Sequence, residues 1–292
     1  MKICFWQRVV AAVTMTTLLN ACGSIKDYAL LSQAGQSYTQ AIDKLLEATK
    51  KISIDSSSEA MLRDRANTVE ERTRVYTQTR KTDTEWLSLL SKMQDHTDLL
   101  SQYFRRLQAL ATSDASERAQ QETDHLITNL SNVGNEIRSN QFVTEHKVIP
   151  QIVNIAVKAH VRASLKTELQ ARQATIQKEL DTQEQILILI KQELKRQLTE
   201  LQNNQEQRLL YTPYVTEQRI VNPDGFVRER NRILSLTNTI PEIEQATQVS
   251  QELRSSFLDL LDGKLTLARV NVLVTDINSL LNVAQQVTPS KS

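Results

Sequence analysis

The chain has 292 residues, a formal net charge of +1 and a charged fraction of 24%. Aromatic residues make up only 4% of it, and five glycines and five prolines are too few for a β-sandwich or an α/β enzyme. Both cysteines lie within the first 22 residues, which excludes a disulfide framework or a cysteine-based metal site in the body of the protein. The composition therefore favours long, solvated helices.

The N-terminal segment has the features of an export signal. Lys2 and Arg8 supply positive charge, and an apolar run covers residues 9–19. That run is too short for a transmembrane helix, which needs about 20 apolar residues. Removing residues 1–21 takes away two basic residues and no acidic one, so the net charge changes from +1 to −1. A chain of this charge has no field that would attract nucleic acid, so we expect no nucleic-acid partner.

The signal ends in Leu19, Asn20, Ala21, Cys22 and Gly23. This succession of an aliphatic residue, a tolerant position, a small residue and a cysteine resembles the lipobox of bacterial lipoproteins, and the resemblance covers residues 1–23 only. It implies that residues 1–21 are a cleaved signal peptide, that the signal peptidase recognises the residues around Cys22, and that Cys22 carries diacylglycerol and palmitate. Because Gly23 rather than Asp follows the cysteine, the resemblance also implies an outer-membrane location facing the periplasm. The alternative is an ordinary secretory signal that happens to end in a cysteine.

Two helices are predicted after the signal. Residues 25–52 carry an apolar stripe at helical spacing. Ser56 followed by Glu59 is a capping-box pattern, which predicts that the next helix covers residues 57–111. The buried seam of this second helix is expected to begin with Leu62, Ala66, Val69, Thr73 and Tyr76.

A further capping box, Thr82 with Glu85, leaves open a break near residue 80. A shorter helix is predicted to begin near Ser113 and to lose its pattern between Gly134 and Asn140. Its buried residues are expected to be Leu126, Leu130, Val133 and Ile137.

The strongest pattern in the chain predicts one long helix over residues 148–210. Its apolar stripe follows spacings of four and three, which is a heptad seam that partner helices must cover. The seam consists of Leu169, Gln173, Ile176, Leu180, Gln183, Leu187, Ile190, Leu194, Gln197 and Leu201. Residues 186–190 are apolar on all sides, so they should lie in the centre of a bundle, with a membrane-inserting or ligand-lining patch as the alternative. Residues 153–165 also alternate like a strand, but a helix is preferred because no turn residues separate them from the heptads.

After residue 210 the character of the chain changes. Residues 222–225, with the sequence Asn-Pro-Asp-Gly, are typical of a hairpin turn, and residues 219–221 and 226–228 flank them as candidate strands. We therefore expect a small β-hairpin near residues 219–228, within an insertion that covers residues 211–229. Two more helices follow, the first capped at Thr239 and ending at Gly263, the second over residues 265–286.

No pattern of catalytic or metal-binding residues is found in the sequence. Four histidines, His96, His125, His146 and His160, are scattered along it. The first three lie beside acidic residues, which can tune a general base, but on a polar helix surface such pairs are usually solvated. His160 is expected to pack among apolar residues. We therefore expect no enzyme activity, no cofactor and no metal.

These patterns together predict an all-α protein, an elongated antiparallel helical bundle with long coiled-coil-like helices and the small hairpin. Residues 22–292 are expected to form one domain. The predicted function is that of a membrane-tethered periplasmic scaffold or spacer that binds a protein partner in the cell envelope. The alternatives are an α-helical pore-forming or membrane-active protein and a carrier of apolar ligands.

Overall fold

The computed structural model describes residues 4–64, 68–112, 118–144, 163–216 and 220–287. It describes the backbone alone for residues 4–24, 112, 118–122, 163–164, 242, 245–247 and 287. Within these ranges the regular structure is all helical, which confirms the predicted all-α class. Within the same ranges no helix combines the length and the hydropathy needed to span a bilayer. The helices are α1 (Cys4–Arg63), α2 (Val69–Thr112), α3 (Arg118–Ser139), α4 (Gln141–Thr144), α5 (Ala163–Gln205), α6 (Thr212–Thr216), α7 (Pro223–Ser235), α8 (Ile240–Leu261) and α9 (Leu267–Val287), with a π-helical turn at Glu206–Tyr211 between α5 and α6.

Six of these helices form a bundle of two layers. Helices α2, α1 and α9 lie side by side in one layer, and α3, α5 and α8 lie side by side in the other. Because α2 packs on α3, α1 on α5 and α9 on α8, the two central helices α1 and α5 are covered on most sides. A single apolar core runs between the layers.

Neighbouring helices run in mixed directions. Helix α2 is antiparallel to α1. Ser53 of α1 accepts a hydrogen bond from Trp86 of α2. Gln36 lies nearer the start of α1, and it donates to Gln108, which lies nearer the end of α2. Contacts of the same kind make α8 antiparallel to α5. The expected antiparallel packing is therefore found at these two interfaces.

At two other interfaces the predicted antiparallel packing is wrong. Helices α1 and α5 are parallel, since Ser53 bonds Gln197 and Arg63, later in α1, bonds Asn204, later in α5. Helices α3 and α5 are also parallel.

The predicted heptad seam forms the inner face of α5. Of its predicted residues, Gln173 is half-buried, and the others are buried, namely Leu169, Ile176, Leu180, Gln183, Leu187, Ile190, Leu194, Gln197 and Leu201. Four of the five residues 186–190 are buried as well, which confirms their central position. The first part of the predicted helix, residues 148–162, lies outside the described residues, so the choice between helix and strand there stays a prediction.

The first two predicted helix boundaries are wrong. Helix α1 continues through residues 55–58 to Arg63, because Ser56 is buried and the Glu59 carboxylate accepts hydrogen bonds from Arg208 instead of capping a helix. The capping box lies further on, where Thr68 Oγ1 accepts from the Glu71 N–H at 3.2 Å and the Thr68 N–H donates to the Glu71 carboxylate. From there α2 is continuous across residue 80.

The predicted hairpin is wrong. Residues 226–228 belong to α7, while residues 220 and 221 are not in a strand and Arg219 lies outside the described residues. The Asn222 side chain accepts a hydrogen bond from the Gly225 N–H at 2.9 Å, and Pro223 occupies the first turn of the helix. Asparagine followed by proline suits a helix N-terminus as well as a hairpin turn, which is why the local sequence was ambiguous.

The C-terminal pair of helices follows the prediction in outline. Helix α8 ends before Gly263, which has a φ of 71° and makes the expected left-handed C-terminal turn. The sequence pattern predicts that the last helix, α9, buries Leu267, Val270, Val274, Ile277 and Leu281, but Leu267 and Val274 are exposed. Leu273 and Leu280 are buried instead, together with Val270 and Ile277 as expected.

Candidate functional site

The predicted lipid-attachment residues lie at the start of α1. Leu19, Asn20, Ala21, Cys22 and Gly23 belong to the segment whose side chains are not described, and the backbone there is helical and continuous with the rest of α1. Their predicted roles therefore stay predictions.

His96 is the one histidine for which the structure changes the interpretation. We expected a solvated surface pair with a neighbouring acid, but His96 is fully buried on the inner face of α2. His125 is exposed, as expected for a polar helix surface, whereas His146 and His160 lie outside the described residues.

A polar cluster surrounds His96 where α2, α3 and α5 meet. The His96 Nε2 atom lies 3.0 Å from the Glu179 carboxylate, and Gln183 Nε2 lies 2.7 Å from His96 Nδ1. The Arg138 guanidinium donates to both oxygens of Glu179, at 2.9 and 3.2 Å, and also bonds Thr182. Because α2, α3 and α5 each contribute, this cluster joins three helices through one buried carboxylate.

The contacts determine the charges in this cluster. Gln183 donates to His96 Nδ1, so the ring must carry its proton on Nε2, which donates to Glu179. Burial lowers the pKa of His96 below its ordinary value, although Glu179 opposes this effect. Burial by itself would raise the pKa of Glu179, but hydrogen bonds from His96 and Arg138 outweigh it and hold that pKa below its ordinary value. The cluster is therefore a Glu179–Arg138 ion pair beside a neutral imidazole.

Gly134 allows α3 to approach this cluster closely. A Cβ atom at this position would overlap the Glu179 carboxylate. The glycine that weakens the helical pattern in the sequence therefore lies within α3, at the point where the backbone passes the buried ion pair.

A second polar group lies on the opposite side of α5, facing α8. Arg254 Nε is 2.7 Å from Asp181 Oδ1, and Gln251 donates to Glu184 at 2.8 Å. Burial raises the pKa of Asp181 to about 6, even though Arg254 opposes this effect. Polar side chains of α5 therefore fix its position against α3 on one side and against α8 on the other.

Glu168 of α5 has a buried carboxylate that lacks part of its hydrogen bonding. Its side chain is only 5% exposed and its Oε1 has no hydrogen-bond partner, while Arg172 Nε lies 3.9 Å away and Arg172 itself pairs with Asp124. Burial raises the pKa of Glu168 to about 7 and also raises that of the neighbouring Tyr103, whose hydroxyl lacks a partner too. Ionised Glu168 therefore destabilises the fold.

These clusters lack the features of a catalytic centre. His96 and Glu179 are fully buried, so a substrate in solution has no access to them in this conformation. Among the residues that the structure describes, no group of His, Cys, Asp and Glu side chains is placed to hold a metal ion. The arrangement supports a structural role, which is to fix how the helices pack.

The end of the bundle farthest from Cys22 has a different surface, and we call it the distal end. It comprises residues 54–64 of α1, residues 69–76 of α2, and residues 206–216 and 220–234. The Glu59–Arg208 ion pair, at 2.6 Å, and the Arg232–Gln205 hydrogen bond, at 3.0 Å, hold these segments together. Its exposed large apolar side chains are Ile54, Leu62, Val69, Tyr76, Tyr211, Tyr214, Val215, Val221, Val227 and Leu234.

The sequence prediction missed this surface because it assigned Leu62, Val69 and Tyr76 to a buried seam. They are 65%, 80% and 58% exposed. The π-helical turn at Glu206–Tyr211 lies in the same region, and single π turns inside helices occur often at functional sites. Ten of the thirteen large apolar side chains that are exposed among the described residues lie at the distal end, and such a concentration is typical of an interaction surface.

Comparison of the chain with protein-family models, with curated proteins and with solved structures gives no match.

Proposed function

We propose that this chain is a bacterial lipoprotein that is anchored through Cys22 and acts as a helical scaffold in the cell envelope. The lipid at Cys22 would hold it at the outer membrane, facing the periplasm. The distal end would bind a protein partner away from that membrane. The coiled-coil-like α1 and α2 would serve as the spacer.

One observation carries this proposal, and it is the continuity of α1. The helix runs without interruption from Cys22 to Arg63, which belongs to the distal end. At 1.5 Å per residue, Cys22 and Arg63 are roughly 60 Å apart. A partner at the distal end would therefore be held at a defined distance from the membrane rather than on a flexible tether.

The tether is tested with Cys22→Ala. Acylation needs the thiol, and two or more acyl chains provide firm anchoring. We expect the variant to lose metabolic palmitate labelling and to remain an uncleaved precursor or become soluble. Unchanged labelling and membrane fractionation would contradict the lipoprotein assignment.

The binding role of the distal end is tested separately in living cells. A photo-crosslinking amino acid at Tyr214, which is 69% exposed, should form a discrete adduct with an envelope protein. The same amino acid at Ala174, an exposed position on α5 nearer the anchored end, is the matched control. Adducts of equal yield at both positions, or none at Tyr214, would refute a partner at the distal end.

A further inference from the structure

Helix α9 exposes a face unlike that of the other helices in the bundle. In a chain that is 24% charged, the exposed positions within the described length of α9 carry no charged side chain. The two charged residues of this helix, Arg269 and Asp276, are half-buried at one edge, and Arg269 pairs with Asp259 of α8 at 2.6 Å. Depletion of charge is the property that distinguishes the centre of a protein interface from other surface.

The uncharged face follows a heptad pattern. Ala268, Asn271, Thr275, Asn278, Asn282 and Gln285 succeed one another at spacings of three and four, and all six are exposed. Such spacing forms one narrow stripe along a helix, which is the geometry of a seam between two helices. Val272, which is 55% exposed, flanks this stripe.

The residue types are unfavourable for a helix surface that remains in water. Asparagine and threonine are poorer helix formers than the Glu, Lys, Gln and Arg that usually fill exposed positions. Three asparagines and a threonine at successive seam positions therefore weaken α9 as a solvated helix. Contacts across an interface would compensate for that loss.

The chemistry of the stripe favours a second copy of this chain as the partner. A side-chain amide carries both donors and an acceptor, so an asparagine can both donate to and accept from another asparagine. Charged groups of a partner would lose their hydration against this face and would gain no ion pair, because the stripe carries no charge. A face that complements itself suits a two-fold pair in which the same patch meets itself.

We propose that α9 is the interface of a parallel homodimer, in which each of Asn271, Asn278 and Asn282 lies beside its counterpart in the second copy. Asparagine pairs at seam positions fix the register and the number of strands in parallel helix pairs. The parallel direction rests on the proposed function, because two copies anchored at Cys22 in one membrane have their long axes parallel. The pairing through α9 does not depend on the anchor.

The test uses the chain from Gly23 onward, which contains no cysteine and retains all the residues described as buried, from Tyr28 to Ala284. Light scattering should give twice the mass of one chain. Asn278→Glu places like charges in contact across the interface and should give a single chain whose helical content, measured by circular dichroism, is unchanged. Ala174→Glu, at an exposed position on α5, should remain a dimer. A single-chain mass for the unsubstituted protein, or dimers in Asn278→Glu, would overturn the proposal.

Disulfide crosslinking tests the direction of the pair. After oxidation, Asn271→Cys, Asn278→Cys and Asn282→Cys should each form a linked dimer, and Ala174→Cys should not. Linkage at Asn278→Cys alone would indicate an antiparallel pair and would overturn the parallel arrangement. Failure of palmitate labelling at Cys22 would remove the anchor but would leave these results unaffected, so the two proposals can fail independently.

Discussion

Substitution of Arg138 by alanine tests whether the buried cluster holds α3 to the bundle. The Glu179 carboxylate has no exposed surface and accepts two hydrogen bonds from Arg138 and one from His96. Without the guanidinium, a buried carboxylate remains beside a neutral imidazole. Breaking a buried ion pair in this way typically costs about 3–5 kcal/mol.

The lower end of that range applies, because the Arg138 side chain is 17% exposed and water can replace part of the lost interaction. We therefore expect the free energy of unfolding to fall by about 3 kcal/mol at pH 8. At about 2 °C per kcal/mol for a chain of this size, the melting temperature should fall by about 6 °C. Circular dichroism melting curves measure this change.

The dependence on pH identifies the cause. In the native protein the pKa of Glu179 is held low, so the stability that its ionised form contributes is present at neutral pH and is lost in acid. In Arg138→Ala, burial acts without the opposing cation and raises the pKa of Glu179. The destabilisation is then present above that raised pKa and decreases as the pH falls. The difference between native and variant proteins should therefore be smaller at pH 5 than at pH 8.

The control is Lys92→Ala. Lys92 and Glu136 also join α2 to α3, with a distance of 2.6 Å, but their side chains are 44% and 57% exposed. An exposed pair of this kind contributes at most about 1 kcal/mol. Equal melting temperatures for Arg138→Ala and Lys92→Ala would refute the reasoning, because burial would then make no difference to the strength of the pair.

Two further substitutions test α5. Leu187→Ala, in the buried seam, should lower stability by about 2–5 kcal/mol, whereas the partly exposed Lys191→Ala should change it by no more than about 0.5 kcal/mol. Equal midpoints in denaturant would contradict a packed seam. Glu168→Gln should stabilise the protein by about 2 kcal/mol at pH 8.5, where Glu168 is ionised in both states, and by much less near pH 5, where its raised pKa keeps the folded form protonated. A stabilisation that is the same at both pH values would show that ionisation of Glu168 is not the cause.

The sequence alone determined the helical class and the inner face of α5. Both follow from the spacing of apolar residues along the chain, which is a local property and does not depend on which helix covers the apolar face. The seam from Leu169 to Leu201 is therefore buried as predicted, apart from the half-buried Gln173. Gly263 ends α8 because the left-handed turn there favours glycine whatever surrounds it.

Tertiary structure decided whether each face is covered and which polar groups meet. Val69 and Tyr76 have the spacing of a buried seam, yet they are exposed, because periodicity indicates a stripe and does not supply the helix that covers it. Residues 222–225 suit a hairpin turn and a helix start equally well, and the contacts that favour the helix lie beyond them, in the Arg232–Gln205 hydrogen bond and the buried Ile233. His96 contacts the carboxylate of Glu179, which lies 83 residues further along the chain. This contact depends on how α2 and α5 pack together, and no local pattern in the sequence specifies that packing. The buried cluster and the distal surface both arise in this way, from the relative positions of helices that are distant in sequence.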